Sequence, residues 1–228
     1  MTDPDRSSCP LKRRRAVTVE RLLDAALATF ADLGFHAASV EDICRRGGFT
    51  RGAFYSSFST KDELFMALFR RETAAKMARV ETQLAGLETA DDPIATVVER
   101  CLDTLGQDRQ WDRVFLEYTL LATRTPAAAA TLAEHTQELF GRLATVIAAA
   151  ATRAGIELAI PPGDLVRIAV ALHDGITLQE LPGGPPAEGS LQHQALLLLL
   201  RAVAGPSTSR SGTAPTGPNP PHTTEGIL

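Results

Sequence analysis

Residues 39–58 read Ser39-Val40-Glu41-Asp42-Ile43-Cys44-Arg45-Arg46-Gly47-Gly48-Phe49-Thr50-Arg51-Gly52-Ala53-Phe54-Tyr55-Ser56-Ser57-Phe58. Ser39 caps a helix whose first turn holds Glu41 and Asp42 and whose last holds Arg45 and Arg46, so charges of each sign sit at the end the helix dipole favours. The glycine pair stops that helix, and Thr50 opens another only two turns long. Helix, three-residue turn Gly47-Gly48-Phe49, helix is the spacing of a DNA-reading helix-turn-helix. Val40, Ile43, Cys44, Phe49, Phe54 and Phe58 form its apolar side. Thr50, Arg51, Ala53, Tyr55 and Ser57 stand on the other, and Gly52 adds no bulk. Small residues admit close approach to a groove, while hydroxyls and a guanidinium donate to phosphates or base edges.

Upstream, Thr18 predicts a cap for a helix over 18–33, with Leu23, Leu27, Phe30 and Leu33 inward and Gly34 as its left-handed stop. Lys12-Arg13-Arg14-Arg15 falls in a basic arm, residues 1–17, which either lies along a minor groove or is a solvated charge run. Downstream, Ser59 or Thr60 followed by Asp62 and Glu63 opens a long fourth helix reaching Ala85. Lys61 sits in its first turn, where backbone N–H groups favour a phosphate. Asp92-Pro93 and Thr125-Pro126 each place a cap before an N1 proline; the second starts a helix over 126–154, about 44 Å long. The last pair, 164–181 and 191–203, flanks Pro182-Gly183-Gly184-Pro185-Pro186, and its second member is apolar nearly all round. The expectation is an all-α fold of about nine helices: a helix-turn-helix domain over 18–62, a helical body over 63–205, and a disordered tail over 206–228, where large apolar residues are few.

Of the 228 residues, three are cysteines, at 9, 44 and 101, in no paired or zinc-binding spacing, which reads as reduced thiols with no metal and no cofactor. Residues 1–61 carry a net charge of +3 and the remainder −7, so the basic part is the N-terminal quarter. No segment approaches the roughly 20 apolar residues of a membrane span. The longest, Ala195 to Ala204, is interrupted by Arg201. No apolar block with a cleavage site follows the N-terminal cations. The expected setting is therefore the cytoplasm, with no membrane partner. There is no nucleophile elbow, phosphate loop, dinucleotide fingerprint or His-Glu-x-x-His, so an enzyme is not expected. A small all-α enzyme using His135 and Glu138 is the remote alternative.

The run from Gly48 through Phe58 and on through Ser59-Thr60-Lys61-Asp62-Glu63-Leu64 resembles the signature of tetracycline-repressor (TetR) family regulators, and the resemblance covers residues 18–66. It implies that Thr50 and Ala53 reach bases, that Tyr55 and Lys61 hold phosphates, and that Phe54 and Phe58 are core. Ala53 stands where many members have threonine, and Ser57 where many have histidine or tyrosine, so the base-reading pattern is this chain's own. The DNA-facing set is then Ser39, Thr50, Arg51, Gly52, Ala53, Tyr55, Ser56, Ser57 and Lys61. The resemblance further implies a homodimer through helices 164–181 and 191–203 on a palindromic operator, and an effector cavity enclosed by helices four to seven. Candidate cavity residues are Trp111, Phe115, Tyr118, His135, Phe140 and His173. The implied function is a ligand-responsive repressor; an activator, or a regulator needing no ligand, is the alternative.

Overall fold

The computed structural model describes residues 10–105, 109–180 and 191–206. Its helices are α1 (Pro10–Leu33), α2 (Val40–Gly47), α3 (Arg51–Tyr55), α4 (Lys61–Gln83), α5 (Pro93–Leu105), α6 (Arg109–Ala122), α7 (Pro126–Arg153), α8 (Pro162–Glu180) and α9 (Leu191–Val203). A single 3-10 turn, Leu87–Thr89, joins α4 to α5. The all-α expectation holds, with one small addition. Strands β1 (Ile156–Leu158) and β2 (Ala204–Pro206) pair antiparallel and tie the end of α9 to the corner between α7 and α8.

Several boundaries differ from the sequence reading. α1 begins at Pro10, not at Thr18. Residues 11–17 hold no helix breaker, and proline is tolerated in a first turn because its missing N–H would have no partner there. The second half of the expected arm is therefore helix. α4 ends at Gln83, two residues before Ala85, and α8 starts at Pro162, two before Asp164. Of the expected tail only Pro206 is described, and it lies in β2; residues 207–228 and the loop 181–190 lie outside the described residues.

The main core begins in the N-terminal three-helix unit and continues into the body without a break. Leu22, Ala26, Phe30, Ile43 and Phe54 pack with Leu64, Phe65 and Leu68 of α4, then with Trp111, Val114 and Tyr118 of α6. Burying one such leucine or phenylalanine contributes about 1.5–3 kcal/mol. An aromatic seam follows this path. Phe30 lies 5.0 Å from Phe35 by ring centroid, Phe35 meets Tyr118 edge-on at 4.8 Å, and Tyr118 stacks on Phe65 at 3.6 Å. Trp111 stacks between Phe65 at 5.9 Å and Phe115 at 5.7 Å. Each favourable aromatic pair adds about 0.5–1.5 kcal/mol beyond its buried area. The long α7, about 42 Å at 1.5 Å per residue, packs against α4, α6 and α8.

Candidate nucleic-acid interface

Local hydrogen bonds set the reading head. Ser39 accepts the Asp42 N–H at 3.1 Å while Asp42 Oδ2 accepts the Ser39 N–H at 3.0 Å, a reciprocal capping box that fixes the start of α2. The Ser39 hydroxyl also donates to Asp42, so both of its hydrogen-bonding roles are taken up locally. The Asp42 carboxyl is held below the usual carboxylate range by its bonds to the Ser39 hydroxyl and backbone, aided by Arg45. At the other end Gly48 adopts φ +70°, the left-handed region that favours glycine. Gly47 is constrained differently, since a Cβ there would stand 2.7 Å from the Phe49 ring and 3.1 Å from Ala25 Cβ. The turn needs one glycine for its backbone angle and the other for its closeness.

Thr50 Oγ1 accepts the Ala53 N–H at 3.2 Å, capping the five-residue α3. Phe54 is fully buried and Phe58 nearly so, while Thr50, Arg51, Gly52, Tyr55 and Ser56 are exposed. Ala53 and Ser57 are half-buried. Arg51 pairs with Glu41 of α2 at 2.8 Å, and its guanidinium lies 5.8 Å from the Tyr55 ring centroid. Both partners of the ion pair are more than half exposed, so it contributes at most about 1 kcal/mol and a phosphate or base edge can replace Glu41 at little cost. The Ser56 hydroxyl donates to Ala53 O at 2.8 Å. Arg15 reaches Ser56 O at 3.4 Å, which puts the extended start of α1 beside the end of α3.

Lys61 takes a position the sequence did not announce. Its Nζ donates to Phe35 O at 2.6 Å, Ala38 O at 2.8 Å and His36 O at 3.3 Å, and sits 4.5 Å from the Phe35 ring centroid. Burial pushes this ammonium down, against the pull of Asp62 and Glu117. Lys61 thus ties the α1–α2 loop to the start of α4.

α6 grips the same region from the body side. Arg113 donates to Ala31 O at 2.7 Å, Glu117 Oε1 accepts the Phe35 N–H at 2.8 Å, and the Tyr118 hydroxyl donates to Asp62 at 3.2 Å. Burial, with Asp62 second, pushes the Tyr118 phenol up to about 12, so it remains a donor at neutral pH. Sequence reasoning passed over Arg113 and Glu117, because their partners, Ala31 O and the Phe35 N–H, each lie 82 residues away and leave no local pattern.

The six candidate cavity residues do not meet in one place. Trp111 and Tyr118 are buried in the aromatic seam, with Phe115 against it. His135 Nδ1 donates to Thr131 O at 2.9 Å and its Nε2 accepts from Arg70 at 3.2 Å. His173 belongs to a buried polar cluster. Gln192 of α9 donates to its Nδ1 at 2.7 Å, its Nε2 faces Asp112 of α6 at 3.6 Å, and Lys76 of α4 pairs with Asp112 at 2.6 Å. Burial pushes the Asp112 carboxyl up, but the neighbouring His173 ring and the Lys76 ammonium outweigh it and hold the group below its ordinary range. Next to them, burial pushes the Asp174 carboxyl up. Phe140 alone of the six lines the groove of about 360 Å³ formed by Thr119, Ala122 and Thr123 of α6, Leu132 and others of α7, and Arg167 of α8. This groove lies among α6, α7 and α8. Among the described residues no group of His, Cys, Asp or Glu is arranged to hold a metal ion, and no helix is long and apolar enough to cross a membrane.

A three-helix reading head with an outward-facing α3, fused through one core to a larger helical body, defines the class of one-component helix-turn-helix regulators. Residues 22–68 match the bacterial regulatory proteins of the tetR family, and residues 90–204 match the C-terminal region of BetI-type transcriptional repressors, so the chain belongs to the TetR family of transcriptional regulators. It is similar to the HTH-type transcriptional regulator UidR of Escherichia coli K12, 29% identical over 90 residues, which are 40% of this chain and 46% of that protein. It is also similar to the HTH-type transcriptional repressor AcnR of Corynebacterium diphtheriae, 36% identical over 89 residues, 39% of this chain and 44% of that protein. The matched segments span about half the length of these curated relatives. Among solved structures, a transcriptional regulator from Saccharomonospora viridis in complex with choline superposes with a TM-score of 0.62 at 21% identity, over 83% of this chain and 99% of that one, which shows the shared fold.

Proposed function

We propose that the protein is a cytoplasmic homodimeric repressor that binds a palindromic operator through α3 and lets go of it when a small molecule binds the body. The observation that carries the DNA half is the exposed row Thr50, Arg51 and Tyr55 on a helix braced by buried Phe54 and Phe58. In this reading α3 enters a major groove. Thr50, Arg51 and Ala53 face base edges; Tyr55, Ser56 and Ser57 face phosphates; Gly52 permits the approach. Ser39 and Lys61 stand where the backbone passes the starts of α2 and α4, and Lys61 engages phosphate only by exchanging one of its carbonyls for it. Arg15 of α1 lies on the same side, next to Ser56.

Dimerisation through α8 and α9 is supported by large apolar side chains that these helices leave exposed, namely Ile168, Leu178, Leu191 and Leu198, the last 72% exposed. A patch of this kind on a monomer is otherwise an aggregation liability. The effector half is supported by the choline-bound relative and by the grip of α6 on α1 and α4. Ligand binding that moves α6 pulls on Ala31, Phe35 and Asp62 together and so changes the separation of the two heads. The ligand must favour the conformation that does not fit DNA for this to work.

Selection of duplexes from a random pool, followed by anisotropy titration, tests the reading. Arg51→Ala is expected to change which sequences are preferred, and Tyr55→Phe to weaken all of them about equally. A wild-type chain that enriches no duplex over competitor would end the proposal.

A further inference from the structure

The groove among α6, α7 and α8 has one charged side chain in its lining, and that charge is positive. Arg167 is exposed at its rim, and among the described residues no hydrogen bond or ion pair engages Arg167, Thr136 or Gln137. Of the other arginines of the body, Arg70 has His135, Arg71 has Asp24 and Glu72, Arg113 has Ala31 O and Arg201 has Asp92, while Arg124, Arg142 and Arg153 share the state of Arg167 but do not line the groove. The remaining wall is apolar, with Leu132, Phe140, Ala129 and Ala133 on α7 facing Ala122 on α6. About 360 Å³ lies at the small end of the range for small-molecule sites, roughly 300–1,000 Å³.

We propose that this groove binds a small amphipathic carboxylate, its head paired with Arg167 and its aliphatic part against Leu132 and Phe140. The planar guanidinium offers two parallel N–H donors to the two carboxylate oxygens, and Thr136 and Gln137 supply donors for the remaining lone pairs. A cation meets no counter-charge in this lining, and a neutral alcohol leaves the guanidinium unpaired. The assignment rests on the reading of the body as an effector domain. It adds a location and a chemical class, and it links to the head directly. Thr119, Ala122 and Thr123 of the wall belong to the same helix whose Arg113, Glu117 and Tyr118 hold α1 and α4.

Isothermal titration of the full-length protein with octanoate, octanol and octyltrimethylammonium tests it. Octanoate is expected to bind at least about tenfold tighter than either analogue, the scale of a hydrogen-bonded charge. Arg167→Gln, a change at an exposed position that leaves circular dichroism unaltered, is expected to remove that preference. Phe140→Ala is expected to weaken all three probes alike. Equal affinity for the three compounds, absence of octanoate binding, or an Arg167→Gln protein that still prefers octanoate would overturn the assignment. If octanoate fails while another compound class releases a selected duplex, the carboxylate site falls and the ligand-released repressor stands. Octanoate binding that depends on Arg167 but leaves duplex affinity unchanged upholds the site and refutes its role as the effector site.

Discussion

The reading head and the body use charge in opposite ways. In the head the ion pairs are on the surface, each between neighbours in the fold: Asp42 with Arg45, Arg46 with Asp32, Arg51 with Glu41. Buried phenylalanines hold it together. The body places Lys76, Asp112 and His173 from three helices inside, with Asp112 9% and His173 12% exposed by side chain. Charges of the first kind can be traded for a phosphate cheaply; those of the second kind cannot be removed singly without leaving a partner stranded. The difference assigns recognition to the head and makes the body's interior sensitive to any shift among α4, α6 and α8.

Substitutions can break this contrast or sharpen it. The largest effect is expected at the head's core, where Phe54→Ala should cost about 4 kcal/mol and abolish duplex binding, read by urea denaturation and anisotropy. Loss of binding with unchanged stability would show that Phe54 is not the brace described here. Asp112→Asn should cost about 3 kcal/mol at neutral pH, because Lys76 keeps its charge without the carboxylate. Since the folded-state value of Asp112 is depressed, its contribution is present above its unfolded value near about 4 and is lost as pH falls through the folded one. The penalty of Asp112→Asn should therefore shrink on acidification, and a penalty constant from pH 7 to pH 3 would contradict the pairing.

Gly47→Ala comes next, at about 2 kcal/mol, since the added Cβ meets the Phe49 ring and Ala25. It should weaken duplex binding and leave octanoate titrations as in the wild type. The smallest effect carries the opposite sign. Asp174, raised by burial, has its full stability below its unfolded value and loses it as pH rises through the folded one. Asp174→Asn should accordingly stabilise by less than about 1 kcal/mol, with the gain larger at pH 8 than at pH 5 in thermal melts. A gain that declines toward pH 8 would reverse the assignment.

The same contrast explains what the sequence disclosed. Ser39 and Asp42 are three residues apart, as are Thr50 and Ala53, so capping chemistry is written locally and the helix-turn-helix was legible with its glycines and core phenylalanines. The polar cluster takes Lys76, Asp112, His173 and Gln192 from four helices, and the groove takes Arg167 from a fifth of the chain away from Thr119; no periodicity announces either. Lys61 was legible only in part, for a related reason. Its place at a helix start was visible, but a four-carbon side chain reaches the α1–α2 loop, which only folding brings near. β1 and β2, at three residues each, are too short for alternation to show, and Thr18 looked like a cap because nothing in residues 11–17 showed whether that helix would start earlier.

Trp111 is the sole tryptophan of the chain, and it lies buried on α6 between Phe65 and Phe115. Its indole emission therefore reports on a single place, on the helix that carries both the groove wall and the contacts to the head. Displacement of α6 by a bound compound would register in the fluorescence of unlabelled protein, giving a native optical readout of signal transmission in the absence of any DNA.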